Sequence, residues 1–166
     1  NLSFSGEYSE SIEQAINKAV AAGIVVVAAS GNGGGNADTS YPAALPNVLS
    51  VGAIAAKDQV YSRSNYGSTL DLVAPGVSVL STALSGDLGD ENGFYKTGSG
   101  TSYAAPHVAA VAALYKMQNS DASSSEVEQA LISTATDLNE EGWDEKTGYG
   151  KLNAAAALAG EVDIEP

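Results

Sequence analysis

The sequence has 166 residues, which suits one domain or part of one, and 44% of them are hydrophobic, enough to build a core. Twenty acidic residues against seven lysines and arginines give a net charge of −13. This charge argues against nucleic acid or an anionic membrane as a partner. Cysteine is absent, so there is no disulfide framework. No signal peptide or transmembrane stretch is recognisable in these residues.

The beginning of the chain predicts a helix followed by a buried strand. Residues 1–6 alternate apolar and polar side chains and predict the end of a strand. Apolar residues then recur at helical spacing from Ile12 to Val20, and Gly23 suits the end of that helix. Residues 24–29 are apolar on both faces, as in a buried parallel strand. A helix followed by a buried strand is half of a βαβ unit, which favours an α/β fold.

A loop rich in glycine and asparagine, residues 30–36, follows the carboxyl end of this strand. In open α/β sheets, ligands bind outside that end. Asn32 is the notable side chain here, because its amide can donate a hydrogen bond and the neighbouring glycines allow close approach. Taken alone, the loop is more simply interpreted as a flexible connection.

The middle of the chain alternates loops with short strands. Residues 41–53 form a Pro-rich loop that enters a strand, and residues 61–67 form a polar loop. Residues 70–80 predict a strand, a Pro-Gly turn and a second strand. Residues 87–93 are acidic and contain glycine, but their spacing does not fit an EF-hand and predicts an exposed loop.

The most informative stretch begins at Gly98, where Gly-Ser-Gly precedes Thr101 and Ser102. Residues 104–117 are apolar nearly all round and predict a buried helix, with too short an apolar run for a membrane span. Ser102 would then lie where a tight loop enters a helix, beside unpaired backbone N–H groups and the positive end of the helix dipole. Such a position can stabilise an oxyanion. A serine that simply caps a core helix is the alternative, and both interpretations can hold.

The last part of the chain predicts two more helices. Ser123 and Glu126 have the spacing of a capping box. The helix that follows has its inward face at Val127, Ala130, Leu131 and Thr134. A charged stretch at 137–146 precedes a last short helix at 154–159.

Several of these stretches resemble the subtilisin-like serine proteases. Residues 100–109, Gly-Thr-Ser-Tyr-Ala-Ala-Pro-His-Val-Ala, resemble the nucleophile motif of that family, Gly-Thr-Ser-x-Ala-x-Pro-His-Val-Ala. Residues 25–32, Val-Val-Val-Ala-Ala-Ser-Gly-Asn, resemble its oxyanion segment and precede the serine motif as they do in the family. The resemblance extends from residue 1 to residue 159. It implies a three-layer fold with a mostly parallel sheet and helices on both faces.

The resemblance implies a serine endopeptidase that hydrolyses peptide bonds by acyl transfer and is secreted. Ser102 would be the nucleophile, and Asn32 and the Ser102 backbone N–H would hold the oxyanion. The polypeptide substrate would pair as an added strand with two segments, Ser3-Phe4-Ser5 and Ala29-Ser30-Gly31. Ser40 would line the primary specificity pocket.

Departures from the family pattern leave this reaction class intact but put the substrate specificity in doubt. Ser5 and Ser40 stand where the family often has glycine. Tyr103 stands where methionine is usual, and Ala110 stands where glycine is usual.

The resemblance is incomplete, because a serine nucleophile needs a base and His107 is the one histidine in the sequence. His107 follows Ser102 by five residues, which on a helix of about 100° per residue separates the side chains by about 140°. We therefore interpret His107 as a packed core histidine.

In the family, the Asp and His motifs precede the segment that residues 1–6 resemble. We therefore expect residues 1–166 to be the C-terminal portion of one peptidase domain, inactive alone, with Asp and His on an upstream segment. A non-catalytic binding or structural remnant of the fold is the alternative.

The resemblance also implies a structural cation, Ca²⁺ or Na⁺, and no organic cofactor. Main-chain oxygens of Ala43, Leu45 and Val48 would bind the cation, with Asp71 as a carboxylate partner. Hard cations take carbonyl oxygens as ligands regardless of the side chain. An ordinary Pro-bounded turn that holds water is the alternative.

Overall fold

The structure is a computed structural model that describes residues 1–83 and 94–159. A parallel sheet of three strands forms its centre. The strands lie in the order β1 (Val27–Ala29), β2 (Leu49–Ile54) and β3 (Leu72–Pro75). An antiparallel hairpin follows, formed by β4 (Val79–Thr82) and β5 (Tyr95–Gly98). The loop predicted at residues 87–93 lies outside the described residues.

The helices of the described residues pack on both faces of the parallel sheet. They are α1 (Glu10–Ala21), α2 (Thr101–Gln118), α3 (Ser124–Ser133) and α4 (Ala154–Leu158). Helix α2 crosses all three strands on one face, and α3 and α4 pack against α2. Ile16 of α1 packs against the other face with Val26 and Ala28. The predicted three-layer α/β fold is therefore confirmed. No helix in the described part of the chain is long and apolar enough to cross a membrane.

Alternate residues of β1 contribute to two different cores. Val27 joins the core beneath α2, whereas Ala28 joins the core beneath α1. Burial on both faces is what the apolar run predicted. The strand is shorter than expected, because the chain leaves α1 through Gly23, with φ +80°, and Ile24 is still 55% exposed.

The first residues of the chain extend the sheet beyond β1. Leu2 donates its N–H to the Val27 carbonyl at 2.8 Å, and its own carbonyl accepts from Ala29 N–H at 3.1 Å. This is an isolated parallel bridge and not a full strand. The bridge fixes the position of Ser3, the next residue, relative to β1.

Helix α2 is buried on only part of its surface. Ala104, Ala105 and Val108 are fully buried against the sheet. Leu114 is 46% exposed and Met117 is 80% exposed, because no described residue covers that side of the helix. The expectation of burial on every face is therefore wrong for these residues.

Candidate active site

Ser102 is the second residue of α2, where the hairpin enters the helix. The N-cap is Gly100, with φ +148° and no side-chain cap bond, so Ser102 is not the helix cap. The Ser102 backbone N–H has no acceptor among the described residues, as is usual in the first turn of a helix. That N–H is free to bind an oxygen atom, and the positive end of the helix dipole favours a negative one.

The Ser102 side chain is half-buried and lies against the first residues of the chain. Its hydroxyl donates to the Ser3 carbonyl over 3.4 Å, a long bond. In return, the Ser3 hydroxyl donates to the Ser102 carbonyl over 3.0 Å. The nucleophile predicted from the sequence therefore lies beside the first predicted substrate segment.

Asn32 lies next to the start of the same helix. Its Oδ1 atom accepts hydrogen bonds from the N–H of Thr101 at 2.8 Å and from the Thr101 hydroxyl at 3.2 Å. Thr101 Oγ1 also accepts from Gly31 N–H at 3.2 Å. Because Oδ1 is occupied, the Asn32 Nδ2 amide is the free end, and it has no acceptor among the described residues. The fold thus brings two free N–H donors, Asn32 Nδ2 and Ser102 N, to one end of α2.

The close approach of Asn32 to α2 requires glycine at position 100. A Cβ atom there would lie 3.1 Å from Asn32 Oδ1, and the positive φ already disfavours other residues. The Gly-Ser-Gly turn noted in the sequence is therefore the point where the loop after β1 meets the helix.

Asn65 holds the loop that carries Asn32, although no motif in the sequence points to this residue. Its Oδ1 atom accepts from Gly33 N–H at 2.9 Å and Gly35 N–H at 3.1 Å. Its Nδ2 atom donates to the Ser30 carbonyl and to Ser40 Oγ, both at 3.0 Å. The loop at residues 30–36 is therefore bound to the protein along its length.

The two predicted substrate segments differ in their backbone hydrogen bonds. The peptide groups of residues 3–5 bond to no backbone group of the described residues, so that edge is open to an added strand. The N–H groups of Ser30 and Gly31 bond to Val51 and Thr101, and both carbonyls accept from Asn65. These residues can border a substrate pocket, together with Ser40, but cannot pair with a peptide strand through those groups.

His107 makes a hydrogen bond within its own helix. Its Nδ1 atom bonds to the Tyr103 carbonyl at 2.8 Å, one turn back on α2, and since a carbonyl only accepts, Nδ1 carries the proton. The side chain is half-buried, and no hydrogen bond joins it to Ser102 in the described residues. The interpretation of His107 as a packed core histidine is therefore not borne out in full, because the side chain is only half-buried.

The predicted cation ligands lie near the start of β2. Ala43, Leu45 and Val48 are buried, and among the described residues no N–H group donates to their carbonyl oxygens. Asp71 Oδ2 accepts from Ser50 N–H at 2.8 Å. The pKa of Asp71 is raised to about 7, chiefly by burial and also by the charge of Glu128, while the Ser50 bond lowers it.

Clusters of three or more His, Cys, Asp or Glu side chains suited to a metal are absent from residues 1–83 and 94–159.

These features define an α/β protein with a serine in the first turn of a central helix and an asparagine amide beside it. The family model described as Peptidase_S8, subtilase family, matches residues 1–150. The chain belongs to the subtilase family.

Bacterial proteases are among its relatives. Alkaline elastase YaB of Bacillus sp. strain YaB is 44% identical over 149 residues, which are 90% of this chain and 36% of that protein. Subtilisin Savinase of Lederbergia lenta is 43% identical over 149 residues, which are 90% of this chain and 51% of that protein. The minor extracellular protease Epr of Bacillus subtilis strain 168 is 37% identical over 148 residues, 89% of this chain and 22% of that protein. The chain thus spans about half or less of these relatives.

Solved structures show the same fold. A protease from Pseudoalteromonas arctica PAMC 21717 superposes with a TM-score of 0.84 at 38% identity, covering 93% of this chain and 48% of that one. A lanthipeptide protease superposes with a TM-score of 0.81 at 28% identity, covering 93% of this chain and 58% of that one.

Proposed function

We propose that this chain is the nucleophile-bearing and oxyanion-binding part of a subtilisin-like serine endopeptidase. The single observation that supports this most is the pair of free donors at the start of α2. Thr101 holds Asn32 Oδ1, so Asn32 Nδ2 is left to donate, as is the N–H of Ser102. Preorganised donors of this kind stabilise the oxyanion of acyl transfer.

In this reaction, Ser102 Oγ forms a bond to the carbonyl carbon of the scissile peptide while its proton passes to a base. The carbonyl oxygen becomes the oxyanion and accepts from Asn32 and from the Ser102 N–H. The C–N bond then breaks as the base returns the proton to the leaving amine, and water hydrolyses the acyl-enzyme by the reverse proton transfers.

The base would come from outside residues 1–166. His107 is the one histidine in the sequence, and its Nδ1 bonds to the Tyr103 carbonyl. A histidine and an orienting aspartate on another segment of the protease would complete the triad. The 166 residues alone are then inactive.

The polypeptide substrate would bind in an extended conformation along residues 3–5, whose peptide groups are open to strand pairing. Ser40 and the Ser30-Gly31 peptide would border the side-chain pocket.

The protein would act outside the cell. This part of the proposal rests on a relative, the minor extracellular protease Epr.

A Ca²⁺ or Na⁺ ion would bind the carbonyl oxygens of Ala43, Leu45 and Val48 and the Asp71 carboxylate. The residues fit such an ion, because the three carbonyls lack N–H donors among the described residues and Asp71 Oδ1 remains available beside the bonded Oδ2. Such an ion would supply local structure and no reaction step.

The test is an assay of chromogenic peptide hydrolysis with residues 1–166 alone, with the complete protease, and with Ser102→Ala in the complete protease. We expect turnover only in the complete wild-type protein. Turnover by residues 1–166 well above the Ser102→Ala background would contradict the external base. A complete protein that carries Asp and His but hydrolyses no peptide would instead support the non-catalytic remnant.

A further inference from the structure

The carbonyl of Ser102 cannot make the hydrogen bond that its helical position normally provides. In an α-helix, the carbonyl of residue i accepts from the N–H of residue i+4. The residue four positions after Ser102 is Pro106, which lies inside α2 and has no N–H. The Ser102 carbonyl therefore lacks its usual i+4 donor.

A residue 99 positions earlier in the sequence supplies the missing donor. The Ser3 hydroxyl donates to the Ser102 carbonyl at 3.0 Å. Asn1 Nδ2 in turn donates to Ser3 Oγ at 3.0 Å. Because Ser3 Oγ accepts this bond, its own proton is directed to the Ser102 carbonyl.

Both ends of this bond are attached to rigid elements. Leu2, which precedes Ser3, bonds to β1 through its N–H and its carbonyl. Ser102 belongs to α2, which packs across the sheet. The bond therefore fixes the nucleophile relative to the edge of the sheet where the substrate segment begins.

We propose that Ser3 is a positioning residue whose hydroxyl holds the Ser102 peptide in place of the N–H that Pro106 lacks. This inference rests on the proposed endopeptidase function. The Ser102 main chain carries both the attacking side chain and the adjacent oxyanion N–H, so a shift of this residue would misalign both. Misplacement of a catalytic group by about 1 Å can cost on the order of a hundredfold in rate.

The kinetic test is a double-mutant cycle of Ser3→Ala and Pro106→Ala in the complete protease. We expect Ser3→Ala to lower kcat by about tenfold with little change in KM, and Ser3→Thr, which keeps a hydroxyl, to restore most of it. In the Pro106→Ala background, position 106 has an N–H that can reach the Ser102 carbonyl. In that background, removal of the Ser3 hydroxyl should change kcat by less than about twofold. A general structural role of Ser3 would instead lower kcat in both backgrounds.

Ser68→Ala is the matched control, because Ser68 is exposed and its hydroxyl bonds to none of the described residues. A loss in Ser3→Ala that falls entirely on KM would show that Ser3 contacts substrate instead. An equal loss of kcat with and without Pro106 would overturn the proposal.

A direct readout does not depend on activity. The carbonyl ¹³C chemical shift of Ser102, measured by NMR in the same proteins, moves upfield when its hydrogen bond is lost. We expect an upfield shift in Ser3→Ala and no further change when Ser3→Ala is added to Pro106→Ala. An unchanged Ser102 carbonyl signal in Ser3→Ala overturns the positioning role, even in a protein without peptidase activity. If the variants show the expected carbonyl shifts but the wild-type protein hydrolyses no peptide, only the endopeptidase function is contradicted.

Discussion

Asn32 Oδ1 accepts both the backbone N–H and the hydroxyl proton of Thr101, at 2.8 and 3.2 Å. The two residues are 69 positions apart in the sequence and meet where the loop after β1 touches the start of α2. This contact orients the amide, because an asparagine whose oxygen is held in this way presents its NH₂ group on the other side.

Replacement of Thr101 by valine should weaken this contact, because valine has nearly the shape of threonine but no hydroxyl. Thr101 is fully buried, and its Oγ1 also accepts from Gly31 N–H, so the change leaves a buried donor unpaired. We expect the free energy of unfolding to fall by about 2 kcal/mol in urea denaturation, and the kcat of the complete protease to fall with it. Thr101→Ser, which keeps the hydroxyl, should stay close to wild type. Equal stability of the valine and serine variants would contradict this account.

The Asn32 amide should act on the transition state and not on substrate binding. In the complete protease, we expect Asn32→Ala to lower kcat by about a hundredfold or more with little change in KM, since one oxyanion donor contributes on the order of 3 kcal/mol. Asn32→Asp keeps an oxygen for Thr101 but has no N–H, so it should lose at least as much activity. Steady-state kinetics on one peptide substrate give kcat and KM for both variants. A loss confined to KM would assign Asn32 to ground-state binding.

Asn65 should stabilise the protein and support catalysis without touching the substrate. Asn65→Ala removes the acceptor of Gly33 and Gly35 N–H and the donor to the Ser30 carbonyl. Because a partly buried network is broken, we expect a loss of about 2 kcal/mol in the free energy of unfolding and a lower kcat of the complete protease. Asn17→Ala is the control, because Asn17 is exposed on α1 and its side chain bonds to none of the described residues. Wild-type stability of Asn65→Ala would refute the role of this side chain.

Cation removal should destabilise the protein through the loop before β2. If the carbonyls of Ala43, Leu45 and Val48 bind Ca²⁺ or Na⁺, the melting temperature should rise with the concentration of that ion and fall in its absence. Asp71→Asn should weaken this dependence, because one charged ligand is lost. For calcium, carbonyl–cation distances of about 2.3–2.6 Å are expected in crystals grown with the ion. Water alone at this position, and a melting temperature indifferent to chelator and to sodium, would favour an ordinary turn.

The capping box of α3 should make stability depend on pH in the acid range. Hydrogen bonds from the Ser123 N–H and hydroxyl lower the pKa of Glu126 from its ordinary value of 4.5. The unfolded state therefore binds more protons, and the stabilisation by ionised Glu126 is present above pH 4.5 and is lost as the pH falls through the folded pKa. We expect wild type to exceed Glu126→Gln in urea midpoint at pH 7, with the difference shrinking toward pH 3. Glu141→Gln, at an exposed position, is the control; a pH-independent difference for Glu126→Gln would contradict the prediction.

The sequence by itself determined the local elements and singled out Ser102 as the predicted nucleophile. Helix α1, the capping box of α3 and the burial of β1 follow from spacings of a few residues, which the local backbone geometry translates directly. The geometry of a single helix was also enough to separate His107 from Ser102, because both lie on α2.

Only the tertiary structure decided which distant polar groups meet. Asn65 looks like an ordinary loop residue in the sequence, and its role comes from bonds to residues about 30 positions away, because the fold brings the two loops together. The bond between Ser3 and the Ser102 carbonyl spans 99 positions, and the sequence shows only its cause, the missing N–H of Pro106. A missing donor can be identified along the chain, but the group that replaces it depends on how the sheet edge and the helix pack.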